Sequence, residues 1–208
     1  ALTFPVPVLL KGPDIVISTG APGQTITFAS TLDSDGFCVG CPVCGTGTGA
    51  NRNLTLQAGS GDLIFTGIVG GISRPDTVTI ATVNNATVIS AFNSGSLVQN
   101  AGTGTTLFSG PVNTNAAGGI NLTGNNFTIN DTMTTTSGGS VLIQNNGLLS
   151  IGSAGDMSIA GSFAQTGGGL VSTAGDITAA SNIGLASAVS LTGNVVYTST
   201  GGNITLSS

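Results

Sequence analysis

The sequence predicts an all-β fold, a parallel β-helix in which the chain winds into stacked coils of about 20 residues. Short phrases recur at that spacing: Gly118-Gly119 returns as Gly138-Gly139, and residues 154–158 return as 174–178. Between the turn residues lie short runs rich in Val, Ile, Thr and Phe, which is typical of strands. A short fixed period indicates a solenoid, because one repeat cannot bury its own apolar face.

The composition is that of an ordered chain with very little charge. Of 208 residues 34 are Gly and 5% are charged, there is no His or Trp, and all eight acids are Asp. The hydrophobic fraction of 39% argues against disorder. Three basic residues cannot neutralise a row of phosphates, so no nucleic-acid partner is expected. The sequence has no apolar run approaching ~20 residues, so we expect no membrane insertion.

The N-terminal segment alternates in a strand-like way but contains Pro5 and Pro7. Prolines at this spacing forbid a central strand, so an edge strand or an extended tail is predicted. Residues 31–52 interrupt the pattern and are interpreted as an inserted Cys- and Gly-rich loop in a single module, 1–208. Strands are predicted at 14–17, 25–28, 53–56, 62–65, 77–80, 86–89, 96–98, 106–108, 120–122, 127–129, 141–143, 148–151, 157–159, 189–191 and 204–206.

The two ends of the chain resemble each other. Leu2 and Phe4 match Ile183 and Leu185, and the sequence separation between matched residues is constant over this stretch. Residues 182–208 are therefore expected to repeat the phase of residues 1–30. This predicts a large module followed by the start of the next, or a unit that continues into a copy of itself.

Three amide side chains recur at the coil period, Asn125, Asn145 and Gln165. Stacked coils place equivalent residues above one another, so these amides are candidates for a ladder that satisfies buried polar groups. The alternative is that they hold left-handed turn positions on the surface.

Several phrases resemble the filamentous-haemagglutinin-like and autotransporter-like adhesins, which are very large bacterial surface repeat proteins. The phrases are residues 117–130, 170–177 and 187–194, and the likeness covers nearly the whole chain except 31–51. The resemblance implies a right-handed parallel β-helix, export to the cell surface, and a role in adhesion or fibre formation. It brings no catalytic motif. A β-sandwich with a donated strand is the alternative fold, but it does not explain the identities at a fixed period.

Cys38, Cys41 and Cys44 form the most conspicuous local motif. Thiolates at this spacing can begin an iron–sulfur or zinc site, but such sites need a fourth ligand, and the chain has no further Cys and no His. No metal and no cofactor is therefore expected. In an exported protein a disulfide is favoured, Cys38–Cys44 or a neighbouring pair, which leaves one thiol free or joined to another molecule.

Two groups of aspartates suggest other chemistry. Asp33 and Asp35 resemble the start of a calcium loop, but the later Glu is missing, which favours an ordinary turn. Asp156 and Asp176 would stack about 5 Å apart, a separation that suits a retaining glycosidase. The absence of His and Glu and the shortage of aromatic residues favour turn residues here too.

The expected function is that of a non-enzymatic structural protein, extracellular or on the cell surface. It would form or extend a fibre by head-to-tail β-stacking into a homopolymer. One alternative is a surface adhesin that binds a host or matrix ligand through residues 31–51. The other is a β-helix enzyme that degrades polysaccharides.

Overall fold

The computed structural model describes residues 1–12, 14–35 and 52–207. Within these ranges every regular element is a β-strand, and all strand pairs run parallel. The strands stack into a β-solenoid of about nine turns with roughly 21 residues per turn. At ~4.8 Å per turn the stack is about 40 Å long. The predicted parallel β-solenoid is thus confirmed, and the β-sandwich alternative is wrong.

The solenoid has three faces, sheets A, B and C. Sheet A contains β1 (Leu2–Phe4), β4 (Ile26–Phe28), β7 (Leu63–Phe65), β9 (Ala86–Val88), β12 (Thr105–Phe108), β15 (Asn126–Ile129), β18 (Leu149–Ile151), β21 (Val171–Thr173) and β24 (Val189–Leu191). Sheet B contains β2 (Val8–Leu10), β5 (Leu32–Ser34), β10 (Phe92–Ser94), β13 (Val112–Thr114), β16 (Met133–Thr135), β19 (Met157–Ile159), β22 (Ile177–Ala179) and β25 (Tyr197–Ser199). Sheet C contains β3 (Asp14–Ser18), β6 (Asn53–Gln57), β8 (Thr77–Thr82), β11 (Ser96–Gln99), β14 (Ile120–Gly124), β17 (Val141–Asn145), β20 (Phe163–Thr166), β23 (Ile183–Leu185) and β26 (Ile204–Leu206).

One coil consists of a strand from each sheet in the order A, B, C, so coil 1 is β1–β3 and coil 9 is β24–β26. In coil 3 the sheet B position is held by Val69 alone, which bridges Leu32 of β5 and Phe92 of β10. Sheet B is therefore continuous along the stack. The described chain contains no helix long and apolar enough to cross a membrane.

Alternating side chains from all three sheets point inward and form the core. In sheet A the inward residues stack coil upon coil, so that Phe4, Phe28 and Phe65 lie face to face with ring centroids 4.9 and 5.2 Å apart. Phe92 of sheet B meets Phe65 edge-on at 5.3 Å. Such contacts add to the free energy gained by burying the rings. The period-2 pattern visible in the sequence is thus the pattern of core packing.

The corners between sheets are tight enough to require glycine at particular positions. A Cβ atom at Gly61 would overlap the Gln24 carbonyl oxygen of the preceding coil, and one at Gly169 would overlap the Gly147 carbonyl oxygen. These overlaps are with backbone atoms, which cannot move aside without breaking the stack. The high glycine content therefore reflects the close spacing of successive corners.

The proline-containing N-terminal segment is part of the solenoid. β1 pairs with β4 and β2 with β5, and both are the outermost strands of their sheets. Of the two predicted forms, the edge strand is the one observed. The start of the predicted insertion also belongs to the coil, because Leu32–Ser34 form β5. Residues 36–51, including Cys38, Cys41 and Cys44, lie outside the described residues.

The resemblance between the two ends of the sequence does not coincide with the structural repeat. Leu2–Phe4 lie in sheet A, whereas the matching Ile183–Leu185 lie in sheet C. With roughly 21 residues per turn, the sequence separation of the two stretches is not a whole number of coils. The matched stretches therefore occupy different positions in the coil.

Replacing Phe65 with Ala tests the core. Phe65 is fully buried between two other rings, so we expect the free energy of unfolding to fall by about 3–5 kcal/mol. The measurement is chemical denaturation followed by circular dichroism. Ile64→Ala, an outward residue of the same strand, is the matched control and should cost less than about 1 kcal/mol. Equal losses in the two variants would contradict the assignment of inward and outward faces.

Candidate functional site

Two of the three amides predicted to form a ladder are in direct contact. Gln165 Nε2 donates to Asn145 Oδ1 at 2.7 Å, and both side chains are almost completely buried. The Gln165 Oε1 atom accepts the backbone N–H groups of Ala186 and Ser187 at 3.0 and 3.2 Å. Asn145 Nδ2 donates to the Gly147 carbonyl oxygen at 2.7 Å. This network satisfies the backbone polar groups where the chain turns from sheet C to sheet A.

Asn125 lies outside this network. The strand register places Gly124, not Asn125, opposite Asn145. The Asn125 Nδ2 atom donates instead to the Thr103 carbonyl oxygen at 3.3 Å at an exposed corner. The reason is that coils differ slightly in length, so a constant sequence spacing does not guarantee a constant place in the coil.

The structure also adds a buried amide that sequence reasoning missed. Gln99 is almost completely buried, and its Oε1 atom accepts from Thr106 Oγ1 at 2.9 Å. The signal in the sequence was the place of Gln99 in the period-2 alternation, two residues after the inward Leu97 of the same strand. The corner between sheets C and A therefore uses buried amides in more than one coil.

Other corners repeat one arrangement, in which a side-chain oxygen accepts a backbone N–H group of the next coil. Asp62 Oδ1 accepts from Asn85 N at 3.0 Å, and Asn85 Oδ1 accepts from Thr105 N at 2.9 Å. Asn126 Oδ1 accepts from Leu148 N at 2.8 Å. These bonds link coils at places where the sheet ladder is interrupted. They explain why Asp and Asn so often precede a strand.

Asp156 and Asp176, the pair considered for glycosidase chemistry, follow the same arrangement. The register of β19 and β22 puts them on neighbouring coils. Asp156 Oδ1 accepts from Asp176 N at 2.8 Å, and Asp176 Oδ1 accepts from Val196 N at 2.7 Å. Each carboxylate is therefore a hydrogen-bond acceptor that joins its coil to the next.

The two carboxylates of the calcium-like sequence also bind protein groups. Asp33 Oδ1 accepts the backbone N–H groups of Ile72 and Ser73 at 2.8 and 3.2 Å. Asp35 accepts from Arg52 at 2.7 and 3.3 Å, one bond to each carboxylate oxygen. The hydrogen bond from Arg52 lowers the pKa of Asp35 below its usual value. Among the described residues no three potential metal ligands come together.

An open cavity of about 330 Å³ lies at the corner that follows sheet C in the first coils. Its lining includes Ser18, Thr19, Gln57, Ser60 and Thr82, and the rest of it is Gly, Ala and Pro. No acid or base lines this cavity, so its walls offer hydroxyl and amide groups for hydrogen bonding.

The strongest candidate for an interaction site is the pair of open ends. We define the C-terminal face as the exposed edge of coil 9 and the N-terminal face as that of coil 1. Inside the stack each inward residue donates its N–H group to the following coil, as in Ile26 N to Asp62 O at 2.9 Å. Coil 9 is the last coil of the described residues, and there the N–H groups of inward residues such as Val189 point out of the C-terminal face. Unpaired strand edges of this kind favour pairing with another chain.

The buried amide network predicts unequal effects of substitution. Gln165→Leu removes the partner of Asn145 Oδ1 and of the Ser187 N–H group, while Ala186 N keeps its bond to the backbone carbonyl oxygen of residue 165. The substitution should therefore lower the free energy of unfolding by about 1–3 kcal/mol. Asn125→Ala, at an exposed corner, should change it by less than about 0.5 kcal/mol. Denaturation midpoints of both variants measure the difference, and a larger loss for Asn125→Ala would refute the assigned pairing.

The ion pair between Asp35 and Arg52 predicts a specific pH dependence. Because the folded-state pKa of Asp35 is lowered from 3.8, the pair stabilises the fold above that pH and loses its effect as pH falls through the lowered value. Carboxyl NMR titration should place the pKa of Asp35 below 3.8, and Arg52→Gln should raise it. Lys11→Gln, which removes a charge with a smaller effect on Asp35, should raise it less. An unchanged titration in Arg52→Gln would exclude the ion pair in solution.

Comparison with known proteins adds no relative to this description. No protein-family model, no curated protein and no solved structure matches the chain.

Proposed function

We propose that this chain is a non-enzymatic structural protein that extends a fibre at the cell surface or outside the cell by head-to-tail stacking of β-coils. The observation that carries the proposal is the correspondence of the two faces. Coil 9 ends in one strand of each sheet, β24, β25 and β26, and coil 1 begins with β1, β2 and β3 in the same order. A second copy can therefore continue all three sheets at once.

The side chains of the two faces suit this junction. On the C-terminal face the inward residues Leu191, Ile204 and Leu206 are each about half exposed. On the N-terminal face the inward Phe4 and Ile17 are partly buried against the core on one side only. Stacking would remove these apolar side chains from water, which is the dominant favourable term in association.

The backbone groups also correspond. Inside the stack the residue before each strand accepts from the preceding coil, as Thr25 O accepts from Leu2 N at 2.8 Å. In a stacked pair, Ala1 O and Pro7 O of the second copy would take this role for Val189 N and Tyr197 N. Because such a contact is heterologous and does not close, it generates an open fibre.

The low charge of the stack supports a structural role over a catalytic one. From residue 86 onward the only charged side chains are Asp131, Asp156 and Asp176. The last two accept backbone N–H groups of the next coil, and Asp131 accepts from Thr132 N at 2.7 Å. Placement outside the cell rests on the resemblance to the surface repeat proteins.

A surface adhesin is the second candidate, with a host or matrix molecule as its partner. One observation favours it: the sequence pattern of the coils is interrupted at 31–51, and Asp35 and Arg52, which border residues 36–51, form an ion pair. The strands on either side, β5 and β6, keep their register with coil 1. Replacing residues 36–51 with a short Gly-Ser linker should therefore abolish adhesion if the adhesin candidate is correct, and leave fibres unchanged if the structural one is.

The stacking proposal predicts that the 208-residue chain associates as its concentration rises, and that Leu191→Asp reduces this association strongly. The substitution places a charge in the apolar junction, where it has no partner. Ser190→Asp is the matched control, because Ser190 lies on the outer face of the same strand. Light scattering and sedimentation, both with a reducing agent, measure the association.

Electron micrographs of the wild-type chain should show rods longer than one molecule. A wild-type protein that remains monomeric at high concentration would overturn the proposed function. Equal association of Leu191→Asp and Ser190→Asp would show that the chains meet somewhere other than the C-terminal face.

A further inference from the structure

One backbone N–H group in sheet A makes the same bond in coils 2 to 9. It belongs to the residue that directly follows each strand, and it donates to a carbonyl oxygen of the preceding coil at 2.8–3.0 Å. The eight donors are Ala29, Thr66, Ile89, Ser109, Asn130, Gly152, Ala174 and Thr192. This bond is thus a constant feature of the contact between coils.

In coil 1 this position is Pro5. The register of β1 and β4 pairs Phe4 with Phe28, so Pro5 is the counterpart of Ala29. Proline has no N–H group, and its ring occupies the space where the hydrogen would lie. A coil placed against the N-terminal face would therefore leave one carbonyl oxygen unpaired, and in a head-to-tail pair that oxygen belongs to Leu191.

Pro7 is two positions further along the chain, and it does not hinder the stacking of a coil against the N-terminal face. Its counterpart in coil 5 is Pro111, inside the stack, where the Pro111 carbonyl oxygen accepts from Phe92 N at 2.8 Å. The other counterparts in coils 2 to 9 also use their carbonyl oxygens, for example Thr31 O and Val196 O. Proline at the position of Pro7 is therefore compatible with stacking. Pro7 can serve as the control for Pro5 when each is replaced.

We propose that Pro5 weakens the N-terminal face for strand addition, so that the head-to-tail junction is weaker than the contact between coils within one molecule. This inference rests on the proposed head-to-tail function and concerns the strength of that same site, with a second copy of the chain as the occupant. Proline is a known means of protecting an exposed strand edge. Its consequence here is an assembly that dissociates at the junctions between molecules while each solenoid stays folded.

The test compares Pro5→Ala, Pro7→Ala and the wild-type chain. Pro5→Ala restores the missing donor, so we expect an association constant about fivefold higher, the effect of one net hydrogen bond. Pro7→Ala removes a proline from the same N-terminal face without adding a hydrogen bond across the junction between molecules. It should therefore leave the association constant unchanged. Sedimentation over a concentration series measures all three, with thermal unfolding to verify that each variant is folded.

The outcomes separate this inference from the proposed function. If Pro5→Ala associates more strongly than the wild type and Pro7→Ala does not, the inference is supported. If only Pro5→Ala associates and the wild type stays monomeric, the inference is still supported, but the proposed homopolymer is overturned. A wild type that associates as strongly as Pro5→Ala overturns the inference only. Association of neither protein overturns both. If Pro7→Ala strengthens association as much as Pro5→Ala does, the role assigned to the single missing donor is wrong. If all three proteins form the same dimer through two C-terminal faces, the head-to-tail junction is wrong.

Discussion

The parallel hydrogen-bond ladder between successive coils is the interaction on which the rest of the structure depends. Inside the stack a strand binds the strand of the previous coil and that of the next, with Val69 alone bridging the neighbouring strands of sheet B in coil 3. This ladder fixes the coil spacing, and the spacing brings equivalent side chains into contact. The stacked rings of Phe4, Phe28 and Phe65 and the bond between Asn145 and Gln165 are both consequences of it.

The ladder also explains how a chain with so little charge uses its polar residues. Where the chain turns a corner, the backbone loses its partners in the sheet, and side chains such as Asp62, Asn85 and Asp176 accept the freed N–H groups. The cost of leaving a backbone donor unpaired is comparable to that of a lost hydrogen bond. Asp33, Asp156 and Asp176, which resemble metal-binding or catalytic groups in the sequence, therefore act as connectors between coils.

The period and the alternation of the sequence were sufficient to predict the fold, because both follow directly from the stacked strands. Exact positions within a coil could not be predicted, since corners differ in length and only the strand register determines which residues face each other. Asn125 and Asn145 are one sequence period apart and yet lie at different positions, and Leu2 and Ile183 match in sequence but lie in different sheets. Most strands of sheet B were missed, and in several of them two of the three residues are polar, as in Leu32–Ser34, Val112–Thr114 and Met133–Thr135.

Amide hydrogen exchange at the two faces tests the central claim most directly. We expect the amides of Leu191 and Ile204 at the C-terminal face and of Thr3 at the N-terminal face to gain protection together as the protein concentration rises. The amide of Thr192, which already donates to Thr173 O at 2.8 Å, should be protected at every concentration. Fast exchange of the first three amides at all concentrations, with Thr192 still protected, would contradict continuation of the ladder from one molecule to the next.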